Sequence, residues 1–289
     1  MFTRDKTRPV KIGKVTIGAG NPVLVQSMTQ TKTSDVKSTV EQIIELEKVG
    51  CEIIRVTVPD MKSAKALGVI KKQINIPLVA DIHFQYLLAL EAIKHGVDKV
   101  RINPGNIGSI DNVRKVVNAC KRKNIPIRIG INMGSLEKDL WAKYGKSGIA
   151  RVMIESATRS IKILEDLKFE NIVVSLKGSD NVVTRQAYLS FTKRFDYPLH
   201  VGITEAGPSI AGAVKSAVGI GSILSEGIGD TIRVSVSDSP QAQVKIAWDI
   251  LKSLKLRQNG VEIISCPTCG RTEIDLISLA KKVEKILSK

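Results

Sequence analysis

The sequence predicts an α/β protein, a (β/α)8 TIM-type barrel followed by the opening of a small second α/β unit. Three observations predict it. Eight short β-branched runs each precede a helical pattern, the alternation of a parallel sheet wrapped by helices. Eight such pairs are the count of a closed barrel. The rival, a doubly wound open sheet, more often has about five to seven strands and a glycine-rich turn after the first. Here the first run leads into "TQTKTSD", which has no glycine. Finally, "RQNGVEIISCPTCG" starts a new pattern after the eighth helix.

In order, the strand candidates are "VLVQSM" (23–28), "EIIRVTV" (52–58), "PLVADI" (77–82), "DKVRIN" (98–103), "PIRIGIN" (126–132), "NIVVSL" (171–176), "PLHVGIT" (198–204) and "DTIRVSV" (230–236). Helical spacing follows them, as in "DVKSTVEQIIELEKVG", "FQYLLALEAIKHG" and "SPQAQVKIAWDILKSL". Asp35 is placed to cap the first helix and Gly50 to stop it. Residues 133–150 read as a long loop, and a long loop at that end of a barrel is more often functional than idle. The barrel is expected over 1–256. Residues 257–289 are expected to begin a second domain with a turn, a short strand, the cysteine pair and one helix, too little to bury a core alone.

The chain has 289 residues, 43% apolar and 25% charged, as in a soluble globular protein. No run of 18 apolar residues occurs, so no membrane span is expected. The N-terminus has no signal-like apolar core. A reducing, cytoplasmic setting is expected, with the four cysteines as thiols or metal ligands rather than disulfides. The balance of 44 Lys and Arg against 28 Asp and Glu gives +16, which suits an anionic ligand. The basic residues are scattered and aromatics are only 4%, leaving few platforms for stacking bases. A small phosphorylated ligand ranks above nucleic acid, and most of the lysines read as solvated helix surface.

Barrel active sites sit at the C-terminal ends of the strands, and there the sequence is rich in polar groups. They are Arg55, Asp81, His83, Arg101, Asn103, Arg128, Asn132, Ser175, Lys177, His200, Thr204, Glu205, Arg233 and Ser235. Arginines in β-branched runs are costly to bury unless paired or liganded. Asp81 and Glu205 could neutralise one or two of them as structural ion pairs. Four arginines and Lys177 leave an excess that a diphosphate would offset, because guanidinium forks match phosphate oxygens. His95 reads as structural, beside a helix end. His200 reads equally as a ligand contact or as core filling. Cys51 and Cys120 fall near the opposite barrel face and read as buried small hydrophobes. Cys266 and Cys269 form a C-x-x-C pair, and from spacing alone iron–sulfur, zinc and dithiol readings stay open.

In this order the chain contains "VQSMT", "VADIHF", "RINPGNIG", "IRIGIN", "GSLEKDL", "KYG", "LHVGITEAG", "GAVKSAVGIGSILSEGIGDTIRVS" and "CPTC". Over essentially its whole length it resembles the 4-hydroxy-3-methylbut-2-enyl diphosphate synthase family, apart from Ser222 and Ile223, where the family often has Leu. The resemblance implies an oxidoreductase of isoprenoid biosynthesis that reductively opens the ring of 2-C-methylerythritol 2,4-cyclodiphosphate. It implies Asp81, His83 and Glu205 as catalytic residues, with the other strand-end residues binding substrate. It also implies a 4Fe–4S cluster in a C-terminal domain, with Cys266 and Cys269 as two ligands, an electron supply from flavodoxin or ferredoxin, and a homodimer. The family's third cysteine and its glutamate ligand lie in a "GCxVNGPGE" segment. These 289 residues do not contain it, so the chain is expected to be C-terminally truncated relative to the family. A non-catalytic diphosphate-binding barrel, or one half of a split enzyme, is the alternative. Another anion-binding barrel enzyme, such as a pterin-dependent one, would leave "CPTC" without a task.

Overall fold

The computed structural model describes residues 4–145 and 148–287. A short hairpin comes first, with β1 (Val10–Ile12) antiparallel to β2 (Val15–Ile17). Eight parallel strands follow: β3 (Leu24–Met28), β4 (Ile53–Thr57), β5 (Leu78–Asp81), β6 (Lys99–Ile102), β7 (Ile127–Asn132), β8 (Ile172–Lys177), β9 (His200–Val201) and β10 (Thr231–Ile232). Their order is β8-β7-β6-β5-β4-β3-β10-β9. A parallel bridge between Val174 and Leu199 joins the two outer strands and rounds the sheet into a barrel. Seven of the eight predicted runs contain one of these strands, and the run 171–176 falls one residue short of the end of β8.

The outer helices are α1 (Val36–Lys48), α2 (Met61–Lys71), α3 (Tyr86–Lys94), α4 (Ile110–Lys123), α6 (Ile149–Asp166), α7 (Asn181–Phe191), α8 (Ser209–Leu224) and α9 (Pro240–Ser253). Asp35, Asp60, Asp180 and Ser239 cap four of them by accepting from the main-chain N–H three residues on, each worth about 1 kcal/mol. Gly50 stops α1 as expected, at φ +94°. The expected loop at 133–150 holds a 3-10 turn (Met133–Ser135) and the additional helix α5 (Lys138–Tyr144). Among the described residues, no helix is long and apolar enough to cross a membrane.

Alternation along the strands sorts the core. Ile54, Val56, Leu78, Ala80, Val100, Ile102, Ile127 and Ile129 point outward and pack against the helices. The first inward residues, Leu24, Ile53, Val79 and Val173, form a separate apolar cluster with Val10, Ile12 and Ile17 of the hairpin. The hairpin therefore plugs the N-terminal mouth of the barrel, which the strand pattern did not foretell. Cys51 and Cys120 are buried as expected, and burial pushes both thiols up to about 12.

The packed fold reaches Arg257, which donates to the Val23 carbonyl and both Glu52 oxygens and lies over the Trp248 ring. Beyond it, residues 260–270 are exposed. The short strand expected there does not form. A strand needs a paired neighbour, and none lies alongside among the described residues. The expected helix does form, as α10 (Leu276–Leu287), with no residue fully buried.

Candidate active site

Above the plug, the inward positions turn polar. A cavity of about 210 Å³ at the C-terminal ends of the strands is lined by Arg55, Asp81, His83, Arg101, Arg128, Ile131, Asn132, Ser175, Lys177, Thr204, Arg233 and Ser235. These residues come from five barrel strands, β4 to β8, and from the segments just after β5, β9 and β10. The other strand-end candidates, Asn103, His200 and Glu205, lie outside the lining. A larger groove of about 750 Å³ runs between α9, the tail and α10. It does not gather charges of one sign, and it lies outside the barrel.

Asp81 is the only carboxylate among the lining residues. Arg101 Nη1 donates to its Oδ1 at 3.1 Å, and Arg55 Nε lies 3.5 Å from its Oδ2. Burial alone would raise this carboxyl, but Arg55, Arg101 and Arg128 outweigh it and hold Asp81 below the usual carboxylate range. His83, half exposed, lies 4.0 Å away at the rim.

The cations are under-partnered. Arg128 is 1% exposed, yet its Nε and Nη1 make no hydrogen bond. The Nε atoms of Arg101 and Arg233 are buried and unpartnered too. Burial, then Arg55 and Arg101, push Arg128 well below its ordinary pKa. Burial pushes Arg233 down to about 9, and burial with Arg128 and Arg55 pushes Lys177 well down. Guanidinium groups keep their charge in proteins. The cost is held as mutual repulsion, which an anion would relieve.

The supporting contacts were largely invisible in the sequence. Met28 Sδ accepts from Arg55 Nε at 3.2 Å and Nη2 at 2.9 Å. Gln243 of α9 accepts from Arg233 Nη2 at 3.4 Å, and its own amide donates to the Val236 carbonyl. Ser235 Oγ accepts from Arg233 Nη1 at 2.8 Å. A Cβ at Gly130 would sit 2.3 Å from Arg101 Nε, and one at Gly202 would sit 2.7 Å from Lys177 Nζ. Lys99 is fully buried with no partner for Nζ. One signal could have found it: it lies two residues before Arg101 on the same strand, hence on the same face.

The remaining candidates have local partners or none. Asn103 Oδ1 caps a 3-10 turn by accepting from Gly105 N at 3.1 Å and lies 3.4 Å from Ser160 Oγ. Asn132 makes the same turn contact to Gly134 N but does face the cavity. Glu205 is exposed, at φ +53°, a backbone region that non-glycine residues seldom occupy and that clusters at functional sites. Its carboxylate has no ion-pair partner among the described residues. His95, as expected, is structural, 3.1 Å from Glu91 at the end of α3.

Cys266 and Cys269 are exposed, in the segment between α9 and α10. Hydrogen bonds at the Arg271 main chain and side chain hold the Cys269 thiol below its ordinary value. No group of three or more His, Cys, Asp or Glu able to hold a metal ion occurs among the described residues.

Comparison with known proteins agrees with this architecture. Residues 7–248 match the model of the GcpE TIM-barrel domain. A protein of Bacillus mycoides (strain KBAB4) named 4-hydroxy-3-methylbut-2-en-1-yl diphosphate synthase (flavodoxin) is 58% identical over 288 residues, covering 100% of this chain and 79% of its own length. The Bacillus anthracis protein of the same name is 57% identical over 288 residues, covering 100% and 78%. Among solved structures, dihydropteroate synthase from Yersinia pestis superimposes with a TM-score of 0.61 at 10% identity, over 86% of this chain and 98% of that one. The Coxiella burnetii dihydropteroate synthase does so with 0.61 at 11% identity, over 86% and 97%. Identities that low speak for the barrel fold alone. The family match and the likeness to the Bacillus synthases over the whole of this chain go further, and by them the chain belongs to the GcpE family of 4-hydroxy-3-methylbut-2-en-1-yl diphosphate synthases.

Proposed function

We propose that the barrel binds 2-C-methylerythritol 2,4-cyclodiphosphate and serves its reductive ring opening to 4-hydroxy-3-methylbut-2-enyl diphosphate. One observation carries the reading: four arginines and Lys177 converge on one small cavity against the single carboxylate Asp81. The buried N–H groups of Arg101, Arg128 and Arg233 that lack partners are donors suited to phosphate oxygens. The relatives' name gives the product, a diphosphate.

In this reading Arg55, Arg101, Arg128, Arg233 and Lys177 hold the diphosphate, and Asn132, Ser175, Thr204 and Ser235 complete its hydrogen bonds. When the ring opens, one phosphate becomes a leaving group still tethered through the other. Preorganised cations stabilise the charge it gains. Asp81 stays ionised between Arg55 and Arg101 and keeps them aimed. His83 at the rim and Glu205 beside Thr204 are assigned to move protons at the carbon end, where water is lost. Asn103 shapes the turn beside the mouth.

The donor type of Cys266 and Cys269 suits an iron–sulfur cluster, but the donor number does not. A 4Fe–4S cluster takes four ligands, and no third ligand gathers with the two thiols among the described residues. The pair is proposed as two ligands of the family's cluster, with the segment 257–289 as the start of the domain that carries it. A cytoplasmic homodimer reduced by flavodoxin or ferredoxin completes the reading, and the relatives' name specifies flavodoxin for them.

Calorimetry of the chain with the cyclic diphosphate tests the reading. Saturable binding that weakens with salt and is lost in Arg128→Met is expected. Absence of binding at millimolar ligand and low salt overturns it.

A further inference from the structure

Lys177, His200 and Thr231 form a line of contacts that meets the cavity at the Lys177 end. His200 is fully buried on β9. Its Nε2 lies 3.1 Å from Lys177 Nζ on β8, and its Nδ1 lies 2.8 Å from Thr231 Oγ1 on β10. Its main-chain carbonyl accepts from the Tyr188 hydroxyl of α7 at 2.7 Å. After Lys177, the charged groups that act most strongly on the ring are Arg128, Lys99 and Arg55, on β7, β6 and β4. Every one is a cation.

An imidazolium there would be buried against an ammonium, with no carboxylate at either ring nitrogen, so the ring is neutral. Burial, then Lys177 and Arg128, accordingly push its pKa well below the ordinary value. A neutral imidazole has one donor nitrogen and one acceptor, whereas an ammonium only donates. In its ammonium form, which a bound anion would favour against the burial and the arginines that push its pKa down, Lys177 requires the lone pair on Nε2, which puts the ring proton on Nδ1, directed at Thr231 Oγ1. Lys177 has no carboxylate partner among the described residues. The bare Gly202 leaves room for its Nζ.

We propose that His200 is a positioning residue: a neutral, Nδ1-protonated imidazole, fixed by Thr231, that receives the Lys177 ammonium through Nε2 and holds it at the cavity wall. One N–H of Lys177 is then engaged, and two remain for phosphate oxygens. The ligand named in this role rests on the diphosphate reading; the geometry of the ring does not.

Two measurements on the full chain test it. Histidine-selective 15N labelling gives three rings, with that of His200 assigned by its loss in His200→Gln. Protonated Nδ1 and unprotonated Nε2 from pH 6 to 8, with Nε2 shifting in Lys177→Met, are expected. An Nε2–H tautomer, or an imidazolium at pH 6, overturns the proposal. Calorimetry with inorganic diphosphate is the second measurement. His200→Leu, which lacks the acceptor, should weaken binding about 10- to 100-fold, the range for losing a hydrogen bond to a charged group. His200→Gln, whose amide oxygen can accept from Lys177, should stay within about threefold of the original. The loss in the His200→Leu, Lys177→Met double variant should be no larger than in Lys177→Met alone, because coupled residues are not additive. Unchanged affinity in His200→Leu, or additive losses, would reduce His200 to core filling. If the unaltered chain ignores both inorganic and cyclic diphosphate, the diphosphate reading fails, and the ring spectra alone then decide the positioning role. If His200→Leu does not fold, the spectra and His200→Gln decide it.

Discussion

Arg101 and Asp81 are register partners on adjacent strands, and the guanidinium donates to the carboxylate at 3.1 Å. Strand pairing itself makes the contact. A slip of one residue in either strand would turn that strand's side chain out of the barrel and break the pair. The carboxylate that orients the cavity's cations is therefore part of the sheet's own ladder rather than of a mobile loop.

Asp81→Asn should leave Arg55 and Arg101 buried without a counter-charge and lower stability by about 3–5 kcal/mol. The Asp81 carboxyl titrates below its usual value when folded. Its contribution is therefore complete above the unfolded value of about 4 and is lost as pH falls through the lower folded value. Thermal unfolding from pH 3 to 8 checks this. The variant should lack that acid-side loss, and inorganic diphosphate should recover part of its stability at neutral pH. Melting identical to that of the unaltered chain would show that the pair braces nothing.

Gly130→Ala should displace Arg101, since the new methyl would lie 2.3 Å from Nε. Overpacking of this kind costs about 1–3 kcal/mol, and diphosphate affinity should fall at least tenfold with it, about the effect of one charge-assisted contact. Gly221→Ala in α8, where the added carbon meets nothing within 4 Å, is the control. It should gain about 0.5–1 kcal/mol. Equal behaviour of the two alanines in melting and titration would refute the steric account.

Asp230 accepts from Leu199 N at 2.7 Å and Thr7 Oγ1 at 3.2 Å, yet burial raises its carboxyl to about 6. The folded state thus binds this proton more tightly than the unfolded chain. Stability from this group is greatest below about 4 and declines as pH rises through about 6, by about 2–3 kcal/mol in all. Asp230→Asn keeps an oxygen acceptor and removes the titration. Its melting temperature relative to the original should rise across pH 4–6 and level off above. A gain independent of pH would mean that the carboxyl titrates normally.

The barrel was legible because each of its strands is a compact β-branched run followed by a helical period, and a cap such as Asp35 or a stop such as Gly50 marks the joints. The charged lining was legible because Arg55, Arg101, Arg128 and Arg233 interrupt apolar strands, where burial is otherwise expensive. The hairpin β1–β2 was not. Its strands have three residues each, too few to show a period. Gln243 was hidden for another reason: it sits on α9 and reaches Arg233 only through the fold. The roles of Gly130 and Gly202 are sterically negative, and an absent side chain leaves no pattern. In the tail, "VEIIS" has strand propensity but no partner strand, and propensity alone did not form one.

Glu205→Gln should leave melting within about 2 °C, as for a surface change, because its carboxylate braces no cation. In an enzyme complemented with the family's cluster segment, turnover should fall. Activity loss that follows a drop in melting temperature would make Glu205 a structural residue.

Anaerobic reconstitution of the 289-residue chain should give an iron content well below four per chain, because two thiols cannot complete a 4Fe–4S site. Supplying a segment with the third cysteine and the glutamate should restore the visible chromophore. A stable content near four on the chain alone would reveal ligands not yet recognised, with Glu273 and Asp275, just after the pair, the first candidates.

The hairpin plug makes the barrel a vessel with a single door. Val10, Ile12 and Ile17 seal one end with an apolar cluster, so a ligand that enters past His83 and Thr204 must leave as product by the same route. Capture and release then share one threshold. Whatever covers that rim sets both how long the substrate is retained and how fast the cavity empties, and the charges at the bottom cannot be reached from behind.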